Sequence, residues 1–385
     1  MQLNGSELRI KKVSMSDLIG WLPVLFCLAN LYRMTGHSAA PYVLTAVAAA
    51  VPGLYKGLVY KWKMSKPAVL TLGVFFITGY INYLFIGNLL LTDVALEVLF
   101  IGIALTMLLY PSTFIQGAAC FYATAAFFLF AYAIGRNTLL ILESSRNYIS
   151  VLLILSVFFY YSAIENANRR MGMIDLIPAA ICFFLSIWAY GRGGILSCAL
   201  LLALAGICWL LNYSDGDDRK KAVVMILVVV ALAALLLTNL SLVDRFMNLG
   251  KWSQKGASGS DRFFIWGSYL SKAAESFVYM LFGAPLEQIP VIAGFGGNTH
   301  NSFIQLHAFN GLITFVLFFV YAAKTFFSET RNKYYLHAIL LVVIMLRGMT
   351  DKFIFGQYGM PVMIYLVLHP YYERRYLNEG EVRHA

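Results

Sequence analysis

Long apolar runs separated by short polar clusters recur from one end of this chain to the other. A membrane-spanning helix needs about 20 mostly apolar residues. Twelve stretches reach or approach that length, near residues 15–33, 38–55, 67–87, 89–110, 113–134, 148–165, 174–190, 193–213, 222–240, 302–325, 335–350 and 353–370. The predicted fold is all-α: a polytopic integral membrane helical bundle of about 12 transmembrane helices. No internal repeat or low-complexity linker divides it, so residues 1–385 read as one integral membrane domain. One interval breaks the rhythm. Residues 241–301 form a long segment between the ninth and tenth runs. Within it, DRFFIWGSYLSKAAESFVYML (261–281) carries apolar residues at 266, 269, 270, 273, 277 and 280, the spacing of an amphipathic helix. Trp266 and Tyr269 suit that helix to the membrane interface. The same face could equally pack on the roof of the bundle. Ser260 or Asp261 is placed to cap it.

Composition agrees with the pattern. The chain is 60% hydrophobic and 12% charged, with a mean hydropathy of +0.72, whereas soluble domains are about 45–50% apolar and about 25% charged. The five cysteines (Cys27, Cys120, Cys182, Cys198 and Cys208) all lie inside apolar runs without CxxC spacing, so no disulfide framework is expected. The net charge of +10 is spread over short loops and forms no continuous face, which excludes nucleic acid as the expected partner. No cleavable signal is evident at the basic N-terminus.

The basic residues do predict an orientation. With the N-terminus cytoplasmic, the cytoplasmic segments hold 18 of the 29 Lys and Arg, residues 241–301 hold 5, and the remaining outer loops hold 6. The positive-inside rule is weak for long segments, so the comparison that counts is 18 against 6. An even number of spans with both termini inside is self-consistent.

Polar residues at membrane depth are costly and mark function by default. In this topology five fall at the outer side: Arg146 in SSRNYIS, Arg192 in AYGRGGIL, Arg262 at the start of the amphipathic helix, His300 at the mouth of the tenth span, and Arg347 in MLRGMTDKF. Arginine is always charged and presents a planar fork of donors to paired oxygens, so several converging arginines could hold a diphosphate. A single arginine at a membrane edge can instead simply snorkel to headgroups. Gly191, Gly193 and Gly194 beside Arg192 would allow close backbone approach to a ligand. Asp351 lies four residues after Arg347, so an ion pair within one helix competes with any ligand role there. Asp93 and Glu97 sit at the start of the fourth span, where the helix dipole favours acids.

A helix running from residue 299 would place His300, Asn301, Gln305, His307, Ala308 and Gly311 on one broad face, capped by Asn298 or Thr299. Ala308 and Gly311 would permit close helix approach or leave room for a ligand. His300 and His307 would stand roughly 10 Å apart along that helix, too far to share an ion with bonds near ~2 Å. His300 is then a general base or hydrogen-bonding group, or else a local cap. No Walker loop, GxGxxG, HExxH or GxSxG occurs, so neither cofactor nor metal is expected.

Three of these stretches carry a resemblance. AYGRGGILSCALLLAL resembles the [ST]-R-G-x-x-L helix start of the bacterial O-antigen ligase and O-antigen polymerase superfamily. SGSDRFFIW is similar to its outer-loop arginine followed by tryptophan, and NTHNSFIQLHAFNGLITFVLFF to its H-N-x-x-L…G-hydrophobic signature. SSRNYIS and LRGMTDKF are looser matches. Order and spacing agree over residues 140–365, and Gly191 departs from the pattern where the family often has Ser or Thr.

The resemblance implies a glycosyltransferase of the bacterial inner membrane acting at its periplasmic face, so that residues 241–301 form a long periplasmic segment. The donor would be an oligosaccharide on undecaprenyl diphosphate. The resemblance further implies that Arg192, Arg262 and Arg146 bind and neutralise the diphosphate, that His300 orients or deprotonates the acceptor hydroxyl, and that Asn301 holds its neighbourhood. Arg347 and Asp351 join the same substrate-binding set. A chain-length regulator and a flippase of the same pathway, with membrane lipids, are the implied partners. An O-antigen polymerase is favoured, because the loop between the fifth and sixth spans is short and lacks a second histidine–arginine cluster. A ligase acting on lipid A–core is the alternative. A lipid-linked glycan flippase is a further alternative from another class, but a transporter should concentrate its polar residues near the midplane.

Overall fold

The computed structural model describes residues 14–59, 66–142, 145–213 and 261–378, and among these every regular element is helical. The elements are α1 (Met15–Met34), α2 (Ala40–Val59), α3 (Lys66–Ile81), α4 (Leu91–Leu109), α5 (Phe114–Ala133), the short α6 (Thr138–Ile141), α7 (Asn147–Asn166), α8 (Ile177–Trp188), α9 (Arg192–Tyr213), α10 (Asp261–Ala274), α11 (Phe277–Phe282), α12 (Pro290–Ala293), α13 (Ser302–Arg331), α14 (Tyr335–Gly348) and α15 (Met360–Asn378). Among the described residues, six helices are long and apolar enough to cross a membrane: α1, α4, α5, α7, α9 and α13. Shorter apolar helices occupy Leu72–Ile86, Met173–Trp188 and Tyr335–Gly348, while α2 and α15 stand where the second and last runs predict helices. The predicted ninth span, 222–240, and the candidate cap Ser260 lie outside the described residues.

Helix α7 is the axis. It is apolar all round, and every residue from Ile149 to Ile164 is buried, as expected of a helix with no polar face to offer solvent. Helices α5, α8, α9 and α14 pack around it. All five cysteines are buried.

Two departures from the predicted helices shape one end of the bundle. The last helix begins at Met360 rather than 353. Residues 351–359 turn instead, with Gly356 at φ 65°. Phe353, Ile354 and Phe355 are as apolar and buried as any helix, but the amides of Phe353 and Ile354 donate to Ser302 Oγ rather than to a preceding turn. The second departure is at Gly311, where α13 breaks with φ 72° and ψ −176°. A Cβ at this position would lie 1.9 Å from the Leu281 carbonyl oxygen, so only glycine admits α11 here. A broken backbone at membrane depth must have its freed groups satisfied. Asn82 and Asn88 each donate an Nδ2 hydrogen to the Ala308 carbonyl, at 2.7 and 2.8 Å. The room attributed to Ala308 and Gly311 is therefore filled by protein: Ala308 is buried in a small second core with Ile265, Tyr269, Ile289 and Ile292.

That second core also decides how α10 lies. Ile265, Tyr269 and Ala273, spaced at i, i+4 and i+8, pack inward on the bundle, while Phe263, Phe264 and Leu270 stay exposed. Roof packing and an exposed apolar face thus coexist on one helix.

Candidate active site

The site is built where the first turns of α7, α9, α10 and α13 meet the last turn of α14. The three glycines around Arg192 make this junction possible. A Cβ on Gly191 would lie 2.9 Å from Asn147 Oδ1, on Gly193 2.7 Å from Thr350 Oγ1, and on Gly194 2.3 Å from Ser150 Oγ. The close backbone approach expected of these glycines is made here to protein. They let α9 close on α7 and on the turn after α14. Arg192 is left exposed at the head of its helix.

Arg347 is buried, at 1% exposure. Its Nη1 donates to Asp351 Oδ2 at 2.6 Å and to Thr350 Oγ1 at 2.7 Å, its Nη2 to the Asn147 carbonyl at 2.8 Å, and its Nε to Ser150 Oγ at 3.3 Å. The expected Arg347–Asp351 pair forms, although Asp351 lies beyond the end of α14 rather than within it. Arg262 Nη2 approaches the other oxygen of the same carboxylate at 3.8 Å. Burial lowers the pKa of Arg262, and the charges of Arg347 and Arg192 press the same way while Asp351 opposes them. A guanidinium is basic enough to stay charged through such a shift. Four residues from three separate stretches thus share one field. Arg146, half-buried, immediately precedes Asn147, whose carbonyl holds Arg347.

The mouth of α13 differs from the predicted helix. His300 lies outside it, in the left-handed region at φ 51°, with its amide donating to Asn298 Oδ1 at 2.9 Å. The cap is Asn301 rather than Asn298 or Thr299: its Oδ1 accepts from Phe303 N at 2.8 Å and Ile304 N at 3.2 Å. Since His300 is off the helix, the broad polar face drawn through it does not exist. The imidazole is half-buried, stacked edge-on against Phe295 at 5.6 Å. Burial lowers its pKa below the usual histidine value; Arg262 and Lys352 push it further down, and Asp351 partly offsets them. A neutral imidazole beside two cations keeps a lone pair for a proton. His307 has a different fate. Its Nδ1 lies 2.6 Å from Tyr269 Oη and its Nε2 2.9 Å from the Met280 carbonyl, so the ring ties α13 to α10 and α11. Asp93 accepts the Leu90 amide at 2.8 Å and caps α4, as the dipole predicts.

Several contributors were not expected. Ser302 Oγ donates to the Asp351 carbonyl at 2.7 Å and so fixes the carboxylate's backbone to the start of α13. Trp266 Nε1 donates to the Thr299 carbonyl at 3.1 Å, joining α10 to the His300 turn. Lys352 adds a cation beside His300. Trp266 stood out in the sequence for the membrane interface rather than for this bond, Lys352 is visible there only as the second basic residue of MLRGMTDKF, and Ser302 left no trace.

The arrangement concentrates positive charge. Each helix N-terminus carries roughly +0.5 charge, and free amides beside arginines are the groups that suit an anion. A family model described as O-Antigen ligase matches residues 177–319, from α8 through much of α13. The match contains Arg192, Arg262, His300 and Asn301; Arg146, Arg347 and Asp351 lie outside it. No curated protein matches the chain, and no solved structure does. Over residues 177–319, a little over a third of its length, the chain is thus similar to the O-antigen ligase family.

Proposed function

We propose that the chain is a periplasmic-face glycosyltransferase that polymerises oligosaccharide repeat units carried on undecaprenyl diphosphate. The observation carrying this reading is the gathering of Arg192, Arg262, Arg347, Asp351 and His300 at one junction of helix starts. In the reaction, an acceptor hydroxyl oxygen attacks the anomeric carbon of the donor glycan. The bond from that carbon to the phosphate oxygen breaks, and undecaprenyl diphosphate leaves with the bonding electrons. Arg192 and Arg262, with Arg146 beside them, neutralise the leaving charge where it develops. His300 takes the hydroxyl proton. Arg347 has its donors engaged with protein and orients Asp351; Asp351 in turn positions Arg262. Asn301 serves by holding the turn that presents His300. In this reading the bundle has twelve spans with both termini cytoplasmic in the bacterial inner membrane, and the site opens to the periplasm.

The description of the matching family favours a second reading, in which the same chemistry delivers the glycan to lipid A–core. Glycan profiling separates the two. A deletion strain bearing single repeats on lipid A–core has lost a polymerase. Naked core with lipid-linked polymer accumulating indicates a lost ligase, and unchanged surface glycan with repeat units held at the cytoplasmic face points to a flippase. Arg192→Ala, Arg262→Ala and His300→Ala are each expected to abolish long glycan chains while the protein still inserts. Normal chain lengths in all three would sink the site assignment.

A further inference from the structure

A second polar cluster lies at the other end of α14 from Arg347, ten residues back along the helix, or about 15 Å. Glu329 from the end of α13, His337 from the first turn of α14 and His369 from α15 meet there. All three are buried, at 0, 1 and 4% exposure. One ligand atom from each lies within 4.8 Å of the other two. His369 Nδ1 is 2.9 Å from Glu329 Oε1, and the two imidazole rings are 4.3 Å apart. His337 Nε2 lies 3.2 Å from Ser162 Oγ, while His337 Nδ1 has no hydrogen-bond partner. Tyr334 and Tyr365 wall the rings. A second carboxylate stands close by: Glu165 Oε1 accepts the amide of Leu336, the neighbour of His337.

We propose that Glu329, His337 and His369 bind a divalent transition metal of the zinc class that locks α13, α14 and α15 together. Two imidazoles and a carboxylate form a donor set suited to zinc. With bonds of about 2.0–2.2 Å, ligands on one ion stand roughly 3.5 Å apart, so closing the site needs side-chain shifts of about 1 Å. A dication also answers the electrostatics. A carboxylate buried among apolar helices is costly to keep charged, and a bound dication offsets that cost. An imidazole nitrogen buried without a partner is likewise costly, and a metal bond satisfies it. Burial from solvent makes the ion structural. The inference is independent of the glycosyltransferase reading, since the cluster shares no residue with that site.

The test uses the full chain in detergent, purified through a tag lacking histidine and stripped with chelator. After dialysis against Zn2+, elemental analysis is expected to find about one zinc per chain. Co2+ is expected to give the visible absorption of a low-coordinate nitrogen and oxygen site, displaced by Zn2+. The double variant His337→Asn, His369→Asn is expected to lose affinity by at least about tenfold, while His37→Ala, altering an exposed histidine, retains it. Wild-type protein with well under one zinc per chain and no cobalt band overturns the proposal whatever the variants do. So does a double variant that binds like the wild type.

Discussion

Asp351 accepts Arg347 at 2.6 Å and faces Arg262 at 3.8 Å, so one carboxylate balances two cations. Removing it leaves Arg347 buried and unpaired by its main counter-charge, a loss that costs about 3–5 kcal/mol in buried pairs. Asp351→Asn is therefore expected to destabilise the protein by that order, read as a lower thermal midpoint in detergent; an unchanged midpoint would show the pair to be idle. Lys352 offers a subtler test. Its charge is among the influences that hold the His300 pKa down. Lys352→Met removes that push, so the pKa rises and His300 stays protonated to higher pH. If His300 is the base, the acid limb of the transfer rate moves to higher pH in the variant, and a limb that stays put or moves down refutes the role. At this scale the sequence was informative about charge and silent about partners. Arg192, Arg262 and His300 stood out because charge in an apolar chain is conspicuous. Ser302 did not, since its partner Asp351 is 49 residues away and a serine at a helix start looks ordinary.

Among the elements, α13 departs furthest from its sequence pattern. Its apolar periodicity runs through Gly311 without interruption, yet the chain breaks there because α11 pushes its backbone into the helix. The conformation at Gly311 is one that essentially only glycine adopts, costing other residues about 1–3 kcal/mol. Gly311→Ala adds a clash with the Leu281 carbonyl. The variant is expected to melt earlier than the wild type and, under the proposed polymerase function, to make shorter glycan, because α11 and the second core must move. A variant as stable and active as the wild type would contradict the break. Helix α10 is a contrasting case. Its amphipathic spacing was legible, but which apolar stripe faces inward depended on the position of α13 beneath it.

For the molecule as a whole, the orientation rests on the distribution of lysine and arginine. The five buried cysteines give a quiet background for testing it. Single cysteines at the exposed positions Ala293 and Arg170 fall on opposite faces in the proposed topology. A membrane-impermeant thiol reagent applied to spheroplasts is expected to label Ala293→Cys at once and Arg170→Cys only after lysis. The reverse order would invert the bundle and move the arginine site to the cytoplasm.

The sequence by itself determined that this is a helical membrane protein, where most of its helices run, and which cations and which histidine stand out at one end. Those properties follow from local composition: twenty apolar residues make a span wherever they occur, and a charge there needs a reason. Tertiary structure alone decided that Asn301 caps α13 while His300 stands outside it, that the glycines near Arg192 seat α7, and that Glu329, His337 and His369 come together. Each of these depends on contacts between helices distant in sequence, and a period of 3.6 residues carries no information about which helix will be the neighbour.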